Sequence, residues 1–206
     1  MHVVLRVSPD VGNMRKRDMY KAVREATLML ARRELNDLRN NAFRIVHMSV
    51  QSNHLHLLVE ADHKMALSRG MQSFQISAAK NVNRAISKRR GVRRRGSVFP
   101  DRFHEEIIKT PGHARRTLGY VLNNWRKHGE DRNAFARGWN VDPYSSGVVF
   151  DGWKQREHEH LLWKWRDTYD PLFVYLPKTW LLREGWRKYG LIRFEYIPGG
   201  GHNAEA

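Results

Sequence analysis

His54-Leu55-His56 sets two imidazoles two residues apart. On a strand, residues i and i+2 leave the backbone on the same face. Two imidazoles held together on one strand make half of a divalent-metal site, because imidazole is the commonest metal ligand and the strand fixes the spacing. A second pair, His158-Glu159-His160, falls in an expected helix, where i and i+2 diverge, and reads as surface. Tyr120 and Asn124 stand four apart and on a helix share one face. A tyrosine hydroxyl is a possible covalent nucleophile, and a carboxamide oxygen is a possible metal donor. Spacing alone equally admits Tyr120 as a core aromatic and Asn124 as an exposed polar residue. Arg84, Lys88, Arg89, Arg90, Arg93, Arg94 and Arg95 follow one another with no acid between them. Such a run is either a solvated loop or a track for a phosphate backbone.

The elements that must position these groups alternate in period. Residues 2–8, with Val3, Leu5 and Val7 on one side, predict a strand that Pro9 and Gly12 end. Met19, Ala22, Val23, Ala26 and Leu30 predict an amphipathic helix over about 15–40. Residues 42–50 and 54–61 predict a hairpin turning at Gln51-Ser52-Asn53. Leu67, Met71, Phe74, Ala78, Val82 and Ala85 mark a helix over 65–88. A fourth strand is expected over 102–109, and a helix over 111–129 with Pro111 in its first turn and Gly129 at its end. Strand–helix–strand–strand–helix–strand is the order of a ferredoxin-like α+β sandwich, an antiparallel sheet with both helices on one face. The helix after the fourth strand is then free to cover the other face. The division expected is 1–130 as the main domain and 131–206 as an extension packed on or near it. Five of the seven Trp lie in residues 151–206, which predicts a small aromatic core there and a helix from Pro177 to Tyr189. Trp163-Lys164-Trp165-Arg166 and Trp186-Arg187-Lys188-Tyr189 interleave aromatics with bases, as a base-stacking surface would, although core packing is the usual fate of such Trp. The tail from Pro198 to His202 is expected to be loose.

Composition narrows the chemistry. With 206 residues and about 150 residues per domain, the chain is one domain with an extension or two small ones. Its 41% hydrophobic content excludes wholesale disorder. The absence of Cys excludes disulfides, thiolate zinc sites, iron–sulfur clusters and a cysteine nucleophile. No apolar run approaches the ~18 residues of a membrane span, and the first residues lack the apolar stretch of a signal peptide. The expectation is therefore a cytoplasmic protein with no membrane partner. Thirty-seven Lys and Arg against 21 Asp and Glu give +16, with pI ≈ 10.6. That excess favours a polyanion, since each neutralised phosphate releases counterions.

Five segments taken in order resemble the single-tyrosine HUH transposases. Asn53-His54-Leu55-His56-Leu57-Leu58 is similar to their Asn-His-hydrophobic-His signature. Met71-Gln72 through Asn83 is similar to their second helix, and Gly96 to Phe103 to their Gly-x-hydrophobic-aromatic-x-x-Arg-aromatic stretch. Tyr120 to Asn124 resembles their Tyr-hydrophobic-x-x-Asn segment, and Tyr144-Ser145-Ser146 their aromatic-Ser-Ser motif. The branch most resembled is that of the REP-associated tyrosine transposases. Trp125 stands where the family usually carries Pro, so the helix bearing Tyr120 is expected to run on.

The resemblance implies a Mg²⁺ or Mn²⁺ ion held by His54, His56 and a third donor: Asn124, or in its place Asn123 or His128. It implies Tyr120 as the nucleophile that cuts single-stranded or hairpin DNA, leaving a 5′-phosphotyrosine and a free 3′-OH and so allowing rejoining. Arg102 joins the basic run as a DNA contact, a monomer or homodimer is the expected assembly, and DNA as partner places the protein at the nucleoid. Two other readings use the same residues: a non-catalytic DNA- or RNA-binding module on the same fold, and a metal hydrolase in which water attacks.

Overall fold

Val3 and Leu5 on the first strand, Val7 just past its end, and Leu55, Leu57 and Val59 on the third are almost wholly buried and belong to one apolar cluster. Their alternation with polar neighbours makes the sheet two-sided. The computed structural model describes residues 1–36, 42–133, 136, 138–157 and 169–197. Its elements are β1 (His2–Arg6), α1 (Arg17–Asn36), β2 (Phe43–Val50), β3 (His54–Ala61), α2 (Lys64–Arg90), β4 (His104–Glu106), α3 (Pro111–Lys127) and the single turn α4 (Trp180–Arg183). The four strands order as β2-β3-β1-β4, every pair antiparallel. This is the ferredoxin-like α+β arrangement expected from the order of elements.

Two layers cover the sheet. α1 and α2 bury Met19, Val23, Phe74 and Val82 against the face that carries Leu55 and Leu57. On the other face α3 buries Leu118, Val121 and Leu122 with Leu58, and Trp153, Trp186 and Phe194 of the extension share that core. The extension therefore completes the cover over α3 and has no separate core of its own among the described residues. It also covers the outer edge of β2, where the Val50 and Tyr175 amides donate to the Tyr144 and Ile45 carbonyls. Edge strands left bare invite pairing with other chains, so this cover is protective.

Two elements depart from expectation. β4 spans three residues, not eight, and all three are exposed, because His104-Glu105-Glu106 offers neither face of the sheet an apolar side chain. The helix expected over 177–189 is α4 followed by a 3₁₀ turn over Gly185–Tyr189. There a Cβ on residue 185 would come within 2.7 Å of the Trp180 ring, so the close approach of that ring needs Gly185. Trp186 is 1% exposed and its indole donates to the Leu182 carbonyl, which makes it core and not a stacking surface. α3 runs through Trp125 to Lys127, as the lack of Pro predicts. His158, His160, Trp163, Trp165 and the tail from Pro198 lie outside the described residues.

Candidate active site

β3 turns His54 and His56 away from the α1/α2 core, onto the face that α3 covers. Val4 and Arg6 of β1 stand opposite His56 and His54, and His2 opposite Leu58, so all of these residues share that face. The His54 and His56 Nε2 atoms converge to 2.9 Å. His54 Nδ1 lies 2.7 Å from Asn53 Oδ1, and His56 Nδ1 lies 3.1 Å from His2 Nε2.

α3 brings the second half. Its start is fixed by Thr110, which accepts from the His113 amide, and by Pro111, whose missing N–H is not needed there. Tyr120, Asn124 and His128 follow at i, i+4 and i+8 along one stripe. The half-buried Tyr120 ring stands edge-on to His56, centroids 5.2 Å apart, and the His128 ring lies 5.8 Å from His54. Asn124, between them on the stripe, is fully buried, and neither atom of its carboxamide has a hydrogen-bond partner. The exposed position that spacing alone admits is thereby overturned. Asn123 points elsewhere: its amide donates to the Arg193 carbonyl of the extension.

Burial decides the charge of the imidazoles. It pushes His54 down to about 4, helped by His128 and Arg6, and His56 down to about 2, helped by His54 and His2. His2 falls to about 4 for the same first reason. All three are neutral at pH 7, with lone pairs available. Two nitrogens bound at about 2.1 Å to one ion at a right angle stand about 3.0 Å apart, which is the spacing His54 and His56 present. Among the described residues no cluster of three His, Asp or Glu is arranged to hold a metal, and there is no Cys. The buried carboxamide of Asn124, without a hydrogen-bond partner and on the same helix stripe as Tyr120, is an oxygen donor of another type. The residues fit a hard divalent ion with most of its shell open to water and phosphate.

The basic run does not behave as one piece. α2 extends to Arg90, so Arg84, Lys88, Arg89 and Arg90 are helical, and Arg93, Arg95 and Arg102 are exposed beyond it. Arg89 pairs with Asp18 at 2.8 Å. Arg94 is the exception: it is buried, paired with Asp10 and hydrogen-bonded to Asn83 and to the Ser97 carbonyl. It fastens the loop after α2 and is not offered to a phosphate. Arg90 and Arg94 both reach Asp10, just past β1, and the Val7 amide donates to Asn53. The run thus ends at the same end of the sheet as His54.

Spacing did not point to several neighbours. Lys127 Nζ lies 5.1 Å from the centre of the Tyr120 ring, and Arg6 stands opposite His54. Tyr144-Ser145-Ser146 is an anchor: Ser146 Oγ accepts from the Met48 amide and pairs with His47, while Asp142 grips Arg15 with both oxygens. No described helix is long and apolar enough to cross a membrane. A sequence profile for the family described as "Transposase IS200 like" matches residues 2–124, from β1 through Asn124. No curated protein and no solved structure matches the chain.

Proposed function

The chain belongs to the IS200-like transposase family, and from that premise we propose that it is a metal-dependent nuclease and strand transferase of single-stranded DNA, of the REP-associated tyrosine type. Its substrates are hairpin-forming repeats. The observation that carries this reading is the placement of the Tyr120 ring against His56, whose Nε2 converges with that of His54. Nucleophile and metal ligands stand together with little left to reorganise.

His54, His56 and Asn124 would hold Mg²⁺ or Mn²⁺. When bound, such an ion polarises the scissile phosphate and offsets its developing charge. The chain's own residues do the rest. Tyr120 Oη gives up its proton and attacks phosphorus. The Tyr120 Oη–P bond forms as the P–O3′ bond breaks, and the departing 3′ oxygen takes up a proton. The result is a 5′-phosphotyrosine and a free 3′-OH, so the same two bonds can be exchanged in reverse to join strands. Arg84, Lys88, Arg89, Arg90, Arg93, Arg95 and Arg102 supply backbone contacts at one end of the site. Action on DNA places the protein at the nucleoid, as a monomer or homodimer.

The test is incubation of the full chain with labelled hairpin DNA and Mn²⁺, followed by denaturing electrophoresis. A protein–DNA adduct is expected, and Tyr120→Phe should lose both adduct and cleavage. Cleavage without an adduct would mean that water attacks. Binding with neither cleavage nor adduct, indifferent to chelator, would make the chain a binding module.

A further inference from the structure

The ligand reading of His54 and His56 dictates which nitrogen of each ring carries the proton, and the following inference rests on that reading. Their Nε2 atoms converge at 2.9 Å, so those are the atoms a shared ion would engage, and each ring must carry its proton on Nδ1. Each Nδ1–H then needs an acceptor in a half-buried site. For His54 the acceptor is Asn53 Oδ1 at 2.7 Å. For His56 it is His2 Nε2 at 3.1 Å. The His2 and His56 rings are inclined by 27° with centroids 5.2 Å apart, a separation that suits rings joined edge to edge through one hydrogen bond. His2 also stands edge-on to Tyr120, centroids 5.8 Å apart, so one ring borders both the ligand and the nucleophile.

We propose that His2 is a positioning residue whose Nε2 accepts the His56 Nδ1–H, holding His56 in the tautomer and orientation that direct its Nε2 toward His54. His2 carries its own proton on Nδ1 and touches neither ion nor DNA. Outer partners of this kind fix ring orientation and raise ligand basicity, and losing one costs roughly 10–100-fold in metal affinity. Sequence spacing gives no sign of it, because His2 stands 54 residues from His56 and meets it only through the pairing of β1 with β3.

The test compares the full chain with His2→Phe, which keeps a flat ring without an acceptor, and His2→Gln, whose amide oxygen can accept. Mn²⁺ alone is titrated and the free ion read by electron paramagnetic resonance. His2→Phe should bind roughly 10–100-fold more weakly, and His2→Gln should recover most of that loss. Undiminished Mn²⁺ affinity in His2→Phe overturns the proposal, and so does failure of His2→Gln to recover. A second readout needs no variant: proton–nitrogen correlation spectra of the parent loaded with diamagnetic Mg²⁺. They should show His56 protonated on Nδ1, and a His56 Nδ1 without a proton in the loaded protein overturns the proposal even if His2→Phe does not fold. If the parent leaves Mn²⁺ free, the metal reading fails by itself; with metal bound, the spectrum alone decides whether His2 accepts from His56.

Discussion

Replacing Asn124 with leucine should make the metal-free protein more stable. Asn124 is fully buried and both polar atoms of its side chain lack partners. Each such group left unsatisfied costs about 1–3 kcal/mol. Leucine has the same branched skeleton of heavy atoms and nothing to satisfy, so the fit changes little. The expected gain is about 2 kcal/mol, or roughly 4–8 °C in Tm for a chain of this size. Divalent metal should reverse the order. An ion at 100 times its Kd adds about 2.7 kcal/mol to the protein that binds it, and the variant without its third donor gains far less. The assay is thermal unfolding followed by circular dichroism, once in chelator and once in Mn²⁺. A lower Tm for Asn124→Leu in chelator would mean that the carboxamide is satisfied within the fold. An equal Mn²⁺-induced rise in both proteins would mean that Asn124 is not a donor.

Neutralising Arg84, Arg93 and Arg95 together should weaken DNA binding and flatten its dependence on log salt by about 2, at roughly 0.7 per lost contact to a single strand; an unchanged slope in a filter-binding titration would return the run to solvent. Arg94→Ala should leave that slope alone and lower Tm, since Arg94 is held by Asp10 and Asn83. Asp142→Ala removes the closer carboxylate of a pair whose side chains are 5% and 0% exposed and leaves Arg15 with Glu130 at 3.8 Å and the Val50 carbonyl, at a cost of up to about 3–5 kcal/mol by chemical denaturation. His47, 8% exposed, is pushed down to about 4 by burial. The unfolded chain takes up this proton near pH 6.5 while the folded one refuses it until about pH 4. Its contribution is therefore full above pH 6.5 and lost as pH falls toward 4, by about 3 kcal/mol in all; His47→Gln should flatten the stability–pH curve over that interval.

The period changes along the chain were enough to place β1, α1, the β2–β3 hairpin, α2 and α3, because each repeats its apolar residues at a regular strand or helix period. The facing of His54 and His56 was legible for the same reason, since Leu55, Leu57 and Val59 could only point inward. β4 was overestimated because its polar residues alternate like a strand but have nothing to pack against. The burial of Asn124 was not legible, since part of the cover over α3 comes from the extension, with Phe194 in its core and the Tyr196 ring against Gly119. Arg94 could not be told from its neighbours in the basic run, because its partner Asp10 lies 84 residues away. His2 carried no spacing signal at all.

β1 lies inside the sheet, between β3 and β4, yet it leaves the ribosome before either partner. His2 waits for His56 and then for Tyr120, and Arg15 waits for Asp142, 127 residues later. At about 5–20 residues per second that last interval is roughly 6–25 s. Until α3 (Pro111–Lys127) has emerged, the nascent chain has its imidazoles but no helix to bring Tyr120 to them. The residues of β1, β3 and α3 that line the site therefore come together late in synthesis, and the residues that close over α3 emerge last.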